Sequence, residues 1–137
     1  MLSSTAYVAM ASSIDLYQVK SAQLALERAH DPANRAFAER ALGAHQGTSA
    51  QLSYAGRRLN LLPTATLNPE HQAMLDALSA TGDFDNTYRA QQNIVLQEGV
   101  RLHSSYAKAG QSPTLRPVAA NAENVMRANL QALRSSR

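Results

Sequence analysis

Four long segments of this chain repeat apolar side chains at the spacing of one helix face, and no other feature narrows the possible folds as much. The first runs over about residues 4–30 and carries Tyr7, Met10, Ile14, Tyr17, Ser21 and Leu24 on one stripe. The second, over about 32–60, carries Phe37, Ala41, His45, Thr48, Leu52 and Leu59. A third long segment, about 83–109, offers Phe84, Tyr88, Val95, Leu96, Leu102 and Tyr106. The last, about 113–134, offers Leu115, Val118, Val125, Asn129 and Leu133. Abundant alanine and only 5% aromatic residues favour helices over strands in the same way.

The residues between these segments read as helix boundaries. Asp31-Pro32, Asn68-Pro69 and Ser112-Pro113 each place a capping side chain before a proline suited to a first helical turn. Gly110 suits a helix end. A short helix is expected at about 69–80, inside the long connection between the second and third stripes. Pro117 lies too deep for a first turn that opens at Pro113, so the last helix either starts later or bends. These elements predict an all-α fold: one four-helix-bundle domain over residues 1–137, with a short extra helix in the crossover connection.

Composition removes several function classes. Without cysteine there is no disulfide, thiolate metal site or cysteine nucleophile. No apolar run approaches the ~18 residues of a membrane span. The start of the chain shows no basic and hydrophobic pair of regions of the kind an export signal has. Net charge is +3, unevenly placed: residues 1–98 hold seven Lys/Arg against nine Asp/Glu, and residues 99–137 hold six against one. Such a basic third can contact phosphates or anionic lipid. A solvated face is the simpler reading, because the cations are spread singly and no aromatic residues interleave with them. No specific nucleic-acid binding is expected.

Glu27-Arg28-Ala29-His30 has the Glu-x-x-His spelling of a di-metal bundle. It sits at a helix end without a second copy, so it reads as coincidence. His71 falls in the first turn of the short helix and is expected in solvent, and His103 at the edge of its stripe. His45, on an inward face, is the polar residue that needs an explanation, with Asn129 and Gln18 beside it as further inward polar candidates.

"FAERALGAHQGTSAQL", "FDNTYRAQQNIVLQEGVRLH" and "NVMRANLQAL" resemble the bacterial family called domain of unknown function 4142, over nearly the whole chain from Tyr7 to about Leu133. Phe84, Asp85 and Tyr88, with the stretch from Phe37 to His45, are the most specific parts. The resemblance implies a ferritin-like helical bundle, placed in the periplasm or envelope, of a family often labelled predicted outer-membrane proteins. It also implies a polar, potentially metal-binding set: a Glu in helix one, an acidic residue followed by His in helix two, and a His in each of the last two long helices. In this chain those positions fall on Gln18, Ala44 with His45, Leu96 and Asn129. Only the imidazole survives. One imidazole does not hold a transition metal tightly, since such sites use three or more protein ligands.

The expected function is therefore a non-enzymatic envelope bundle with no cofactor, acting on a protein or envelope partner that the sequence does not name. His45, Gln18 and Asn129 are expected as a remnant polar site near the bundle centre. His45 is expected to bond Asn129, Gln18, a tyrosine hydroxyl or a buried water. The alternative is a metal-binding ferritin-like protein, with Glu98 or His103 as further ligands. Oligomeric state is not legible.

Overall fold

The computed structural model describes residues 2–136. It contains α1 (Ser4–Arg28), α2 (Pro32–Arg58), α3 (Pro69–Ala80), α4 (Phe84–Ala109) and α5 (Arg116–Ser135), with no strand among the described residues. No helix is long and apolar enough to cross a membrane among these residues.

The predicted caps at Asp31 and Asn68 form, whereas Ser112 does not cap the last helix, whose N-cap is Leu115 without a side-chain bond. Ser3 accepts the Ala6 N–H, Asp31 the Ala33 N–H, and Asn68 the His71 N–H. Each satisfies a donor that a helix start otherwise leaves unpaired. The last helix starts later than Pro113, at Arg116, which puts Pro117 in its first turn where a missing N–H removes no helix bond. α2 ends where the chain folds back on Gly56. The Leu61 carbonyl oxygen occupies the space that a Cβ on that glycine would need, and Leu61 N–H donates to the Gly56 carbonyl. Asn60 supplies the left-handed residue of this turn, with φ 58°.

Cross-helix bonds fix the directions. Ser4 pairs with Tyr106 and Tyr7 with His103, so α1 and α4 run antiparallel. Asp15 meets His45 across the short turn from α1 to α2, so these two are antiparallel as well. α2 and α5 are antiparallel through Arg40 with Asn129 and Gln51 with Asn121. The helices therefore pack in the ring α1–α2–α5–α4, with α2 and α4 parallel on a diagonal. Parallel helices need a connection that returns along the bundle, and residues 59–83 provide it. α3 lies in that connection and packs on both α1 and α4.

Most of the predicted stripes are buried, including Tyr7, Ile14, Tyr17, Phe37, Leu52, Tyr88, Leu96, Tyr106 and Leu133. Burying each large side chain stabilises by about 1.5–3 kcal/mol relative to leaving it in water. Met10 departs from the stripe and is 39% exposed. Leu24, Leu59, Val118 and Val125 are half-buried. α1 has neighbours on three sides, α2, α3 and α4, so it buries polar residues next to its apolar ones: Ser12, Ser13, Asp15, Gln18 and Ser21.

Candidate functional site

The interior of the bundle contains three imidazoles, each bound through its Nδ1 by a side chain of α1. His45 of α2 is fully buried and its Nδ1 lies 2.8 Å from Asp15 Oδ1. A carboxylate oxygen only accepts, so the imidazole donates. Thr48, one turn further along α2, donates its hydroxyl to the same oxygen at 2.8 Å. Asp15 thereby receives two bonds from one face of α2. Among the described residues neither Asn129, Gln18 nor a tyrosine hydroxyl, the side chains expected for His45, bonds it. Asp15 sits beside Ile14, at the flank of the stripe rather than on it.

His71 of α3 is buried rather than solvated, at 2% exposure. Its Nδ1 is 2.6 Å from Ser13 Oγ, and its Nε2 is 2.7 Å from Glu98 Oε1. The Ser13 oxygen also accepts the Asn68 N–H at 3.0 Å. The proton order follows: Ser13 O–H donates to Nδ1, and Nε2–H donates to Glu98. The three residue types are those of a hydrolase triad, but Ser13 is 2% exposed and its oxygen is already an acceptor for backbone. The group fastens α3 to α1 and α4.

His103 of α4 is buried rather than at an edge, at 3% exposure. Its Nδ1 lies 2.9 Å from the Tyr7 hydroxyl, and the two rings meet edge to face at 5.6 Å. Burial raises the Tyr7 pKa beyond its ordinary value, with the negative charge of Asp15 adding to the effect, so the phenol keeps its proton and donates. Burial pushes the His103 pKa down to about 4. Asp15 opposes this shift, His45 adds to it, and Glu123 opposes it.

All three residues of the predicted remnant set are buried. Gln18 is fully buried, and neither end of its amide has a protein partner. Asn129 Oδ1 accepts Arg40 Nε–H at 2.8 Å, while its Nδ2 has no partner. His45 Nε2 has none either. No hydrogen bond joins any two of Gln18, His45 and Asn129 among the described residues. Tyr88 hydroxyl and Gln92 Oε1 complete the set of unpartnered buried polar atoms.

A carboxylate on Nδ1 that leaves Nε2 free is the arrangement that orients a metal-binding imidazole. Among the described residues no three His, Asp or Glu side chains converge on one cation position. Glu27 and His30 are both exposed at the end of α1, away from the core.

The Phe-Asp-x-x-Tyr motif is a clamp. Asp85 accepts the backbone N–H of His30 at 3.0 Å and the Asn34 amide at 2.8 Å, joining the turn between α1 and α2 to the start of α4. Partial burial works to raise the Asp85 pKa. The bonds from Asn34, His30 and Asp31 outweigh it and hold the carboxyl below its ordinary range. Phe84 stacks on Tyr88, and the Arg28 guanidinium lies 4.9 Å over the Phe84 ring.

No curated protein matches the chain. Among solved structures it is similar to CopM in the Cu(II)-bound form, with a TM-score of 0.80 over 98% of this chain and 95% of that one, at 16% identity. That similarity establishes the shared helical fold. A family model described as a domain of unknown function (DUF4142) matches residues 2–135, and the chain belongs to that family.

Proposed function

We propose that this protein is a non-enzymatic helical bundle of the bacterial envelope that works through its outer surface, with its buried imidazoles serving as internal ties rather than as a metal centre. The observation that carries this reading is the shared role of α1: Asp15, Ser13 and Tyr7 bind one imidazole each from α2, α3 and α4. Three histidines used in the same way, on three different helices, fit a structural purpose. The envelope location rests on the family resemblance. Fractionation of the native source tests it, and full-length protein recovered only from the cytosol would count against it.

A metal-binding reading has one observation in its favour. His45 Nε2 is buried without a partner and oriented by a carboxylate, and the structurally similar CopM is described in a Cu(II)-bound form. Titration of the purified chain with Cu(II) and Zn(II) separates the two readings. The structural reading expects no tight site that depends on His45. Stoichiometric binding that a His45→Gln substitution abolishes would establish the metal reading instead.

A further inference from the structure

The fold gathers charges that the sequence leaves scattered. The antiparallel directions bring the start of α1, the end of α2, the end of α4 and the start of α5 to one end of the bundle. Residues 2–8, 51–66 and 103–121 make up this end. They contain Arg57, Arg58, Lys108 and Arg116 and no Asp or Glu. The rest of the chain holds the other nine Lys/Arg and all ten Asp/Glu.

Of the cations elsewhere, Arg28, Arg35, Arg40, Arg89 and Arg127 make side-chain bonds within the protein, while Lys20, Arg101 and Arg134 make none among the described residues. None of the four cations at the acid-free end makes a side-chain hydrogen bond or ion pair among the described residues. Three are exposed and Arg116 is half-buried. Two large apolar side chains project from the same end: Leu62 in the turn after α2, 69% exposed, and Tyr54 in the last turns of α2, 64% exposed.

We propose that the acid-free end of the bundle docks on an anionic bilayer surface, with Tyr54 and Leu62 entering the headgroup region. Charge complementarity selects the partner, since each Lys or Arg near such a surface strengthens binding roughly fivefold. Shape selects a plane over a groove. Arg57 and Arg58 belong to α2 and Lys108 to α4, which lie on a diagonal, so the cations straddle the whole end. An aromatic ring and a single apolar side chain among cations suit the interface between water and lipid. The proposal rests on the reading of the protein as one that works through its surface. It does not depend on what His45 does.

Co-sedimentation of the full chain with vesicles tests it. Phosphatidylcholine vesicles with and without a minority of phosphatidylglycerol are compared at low and at several-fold higher salt. The expected result is binding only to the anionic vesicles, weakened by salt. Arg57→Gln with Arg58→Gln should weaken binding by roughly tenfold or more. Lys20→Gln with Arg134→Gln removes the same net charge from outside this end and should change binding by less than about threefold. Leu62→Ser with Tyr54→Ser should weaken vesicle binding but leave binding to a soluble polyanion such as polyglutamate unchanged. Absence of binding, equal loss in the two charge pairs, or no effect of the Leu62 and Tyr54 substitutions would overturn the proposal. The last outcome, with polyglutamate bound as well as vesicles, would assign the end to a soluble acidic partner. The metal titration is unaffected by any of these results, so this proposal and the reading of the interior fail separately.

Discussion

His45 and His71 are both buried, and α1 holds both through Nδ1, yet their other ring nitrogens have opposite surroundings. His71 Nε2 meets Glu98, whose side chain is 28% exposed, so the ring is satisfied on both sides and reaches solvent through its partner. His45 Nε2 lies in the core without a protein partner among the described residues. Burial alone therefore does not mark a site. The unused nitrogen distinguishes a ring that ties helices through one atom from a ring that ties them through both. α2 and α3 also differ in what the bond secures: α2 has a full apolar stripe against the core, whereas α3 buries little beyond His71 and Leu78.

Removing the carboxylate should break the comparison most severely. Asp15→Ala leaves the His45 N–H and the Thr48 hydroxyl unpaired in the core, and each stranded donor costs about 1–3 kcal/mol. Urea melts of the parent and the variant measure it. A change below about 1 kcal/mol would mean that the pair contributes little.

Acid should act next, through the third imidazole. The His103 pKa is about 4 in the folded protein, against an ordinary value of 6.5. Between those values the unfolded chain binds more protons than the folded one. Stability associated with this group is therefore complete above pH ~6.5 and is lost as pH falls toward ~4, by at most ~3 kcal/mol. His103→Gln keeps an acceptor for Tyr7 and does not titrate. Melts of both proteins at several pH values should show a flatter profile for the variant between those limits; parallel profiles would contradict the burial assigned to His103.

His71→Ala should cost less than Asp15→Ala, about 1–3 kcal/mol, because Glu98 is free to turn to water while Ser13 keeps its bond to Asn68 N–H. Its larger effect should be local. Hydrogen exchange in α3 should accelerate well beyond that in α2. Uniform acceleration in all helices would remove the distinction between a fastened helix and a core helix.

Gln18→Leu should have the smallest effect. It removes an amide with no protein partner at either end and keeps the side chain close in volume. Thermal melts should show a change within about 1 kcal/mol, in either direction. A loss of several kcal/mol would show that the amide has a role in the site that protein contacts alone do not reveal.

The apolar stripes, the caps at Asp31 and Asn68 and the need for a crossover were legible because each is a local pattern. His45 was legible because it interrupts such a pattern. Asp15 was not: it flanks the α1 stripe, and its value comes from Thr48 and His45 on another helix. The burial of His71 was hidden for a related reason. First-turn residues of short helices are usually wet, and only the docking of α3 between α1 and α4 makes this one dry. The family motif at Phe84, Asp85 and Tyr88 marked a conspicuous place without saying why; Asp85 proves to hold the turn between α1 and α2. The acid-free end was legible only in part: the basic last third supplies Lys108 and Arg116, but Arg57 and Arg58 belong to a distant segment that only the fold brings beside them.

The protonation of the two contrasting rings tests most directly whether α1 holds its imidazoles as described. Long-range proton–nitrogen correlation spectra of the labelled protein near neutral pH read each ring nitrogen separately. The expected result is a proton on Nδ1 of His45, donated to Asp15, and an Nδ1 of His71 that accepts from Ser13 while Nε2 carries the proton to Glu98. A bare Nδ1 on His45, or a protonated Nδ1 with a bare Nε2 on His71, would contradict it.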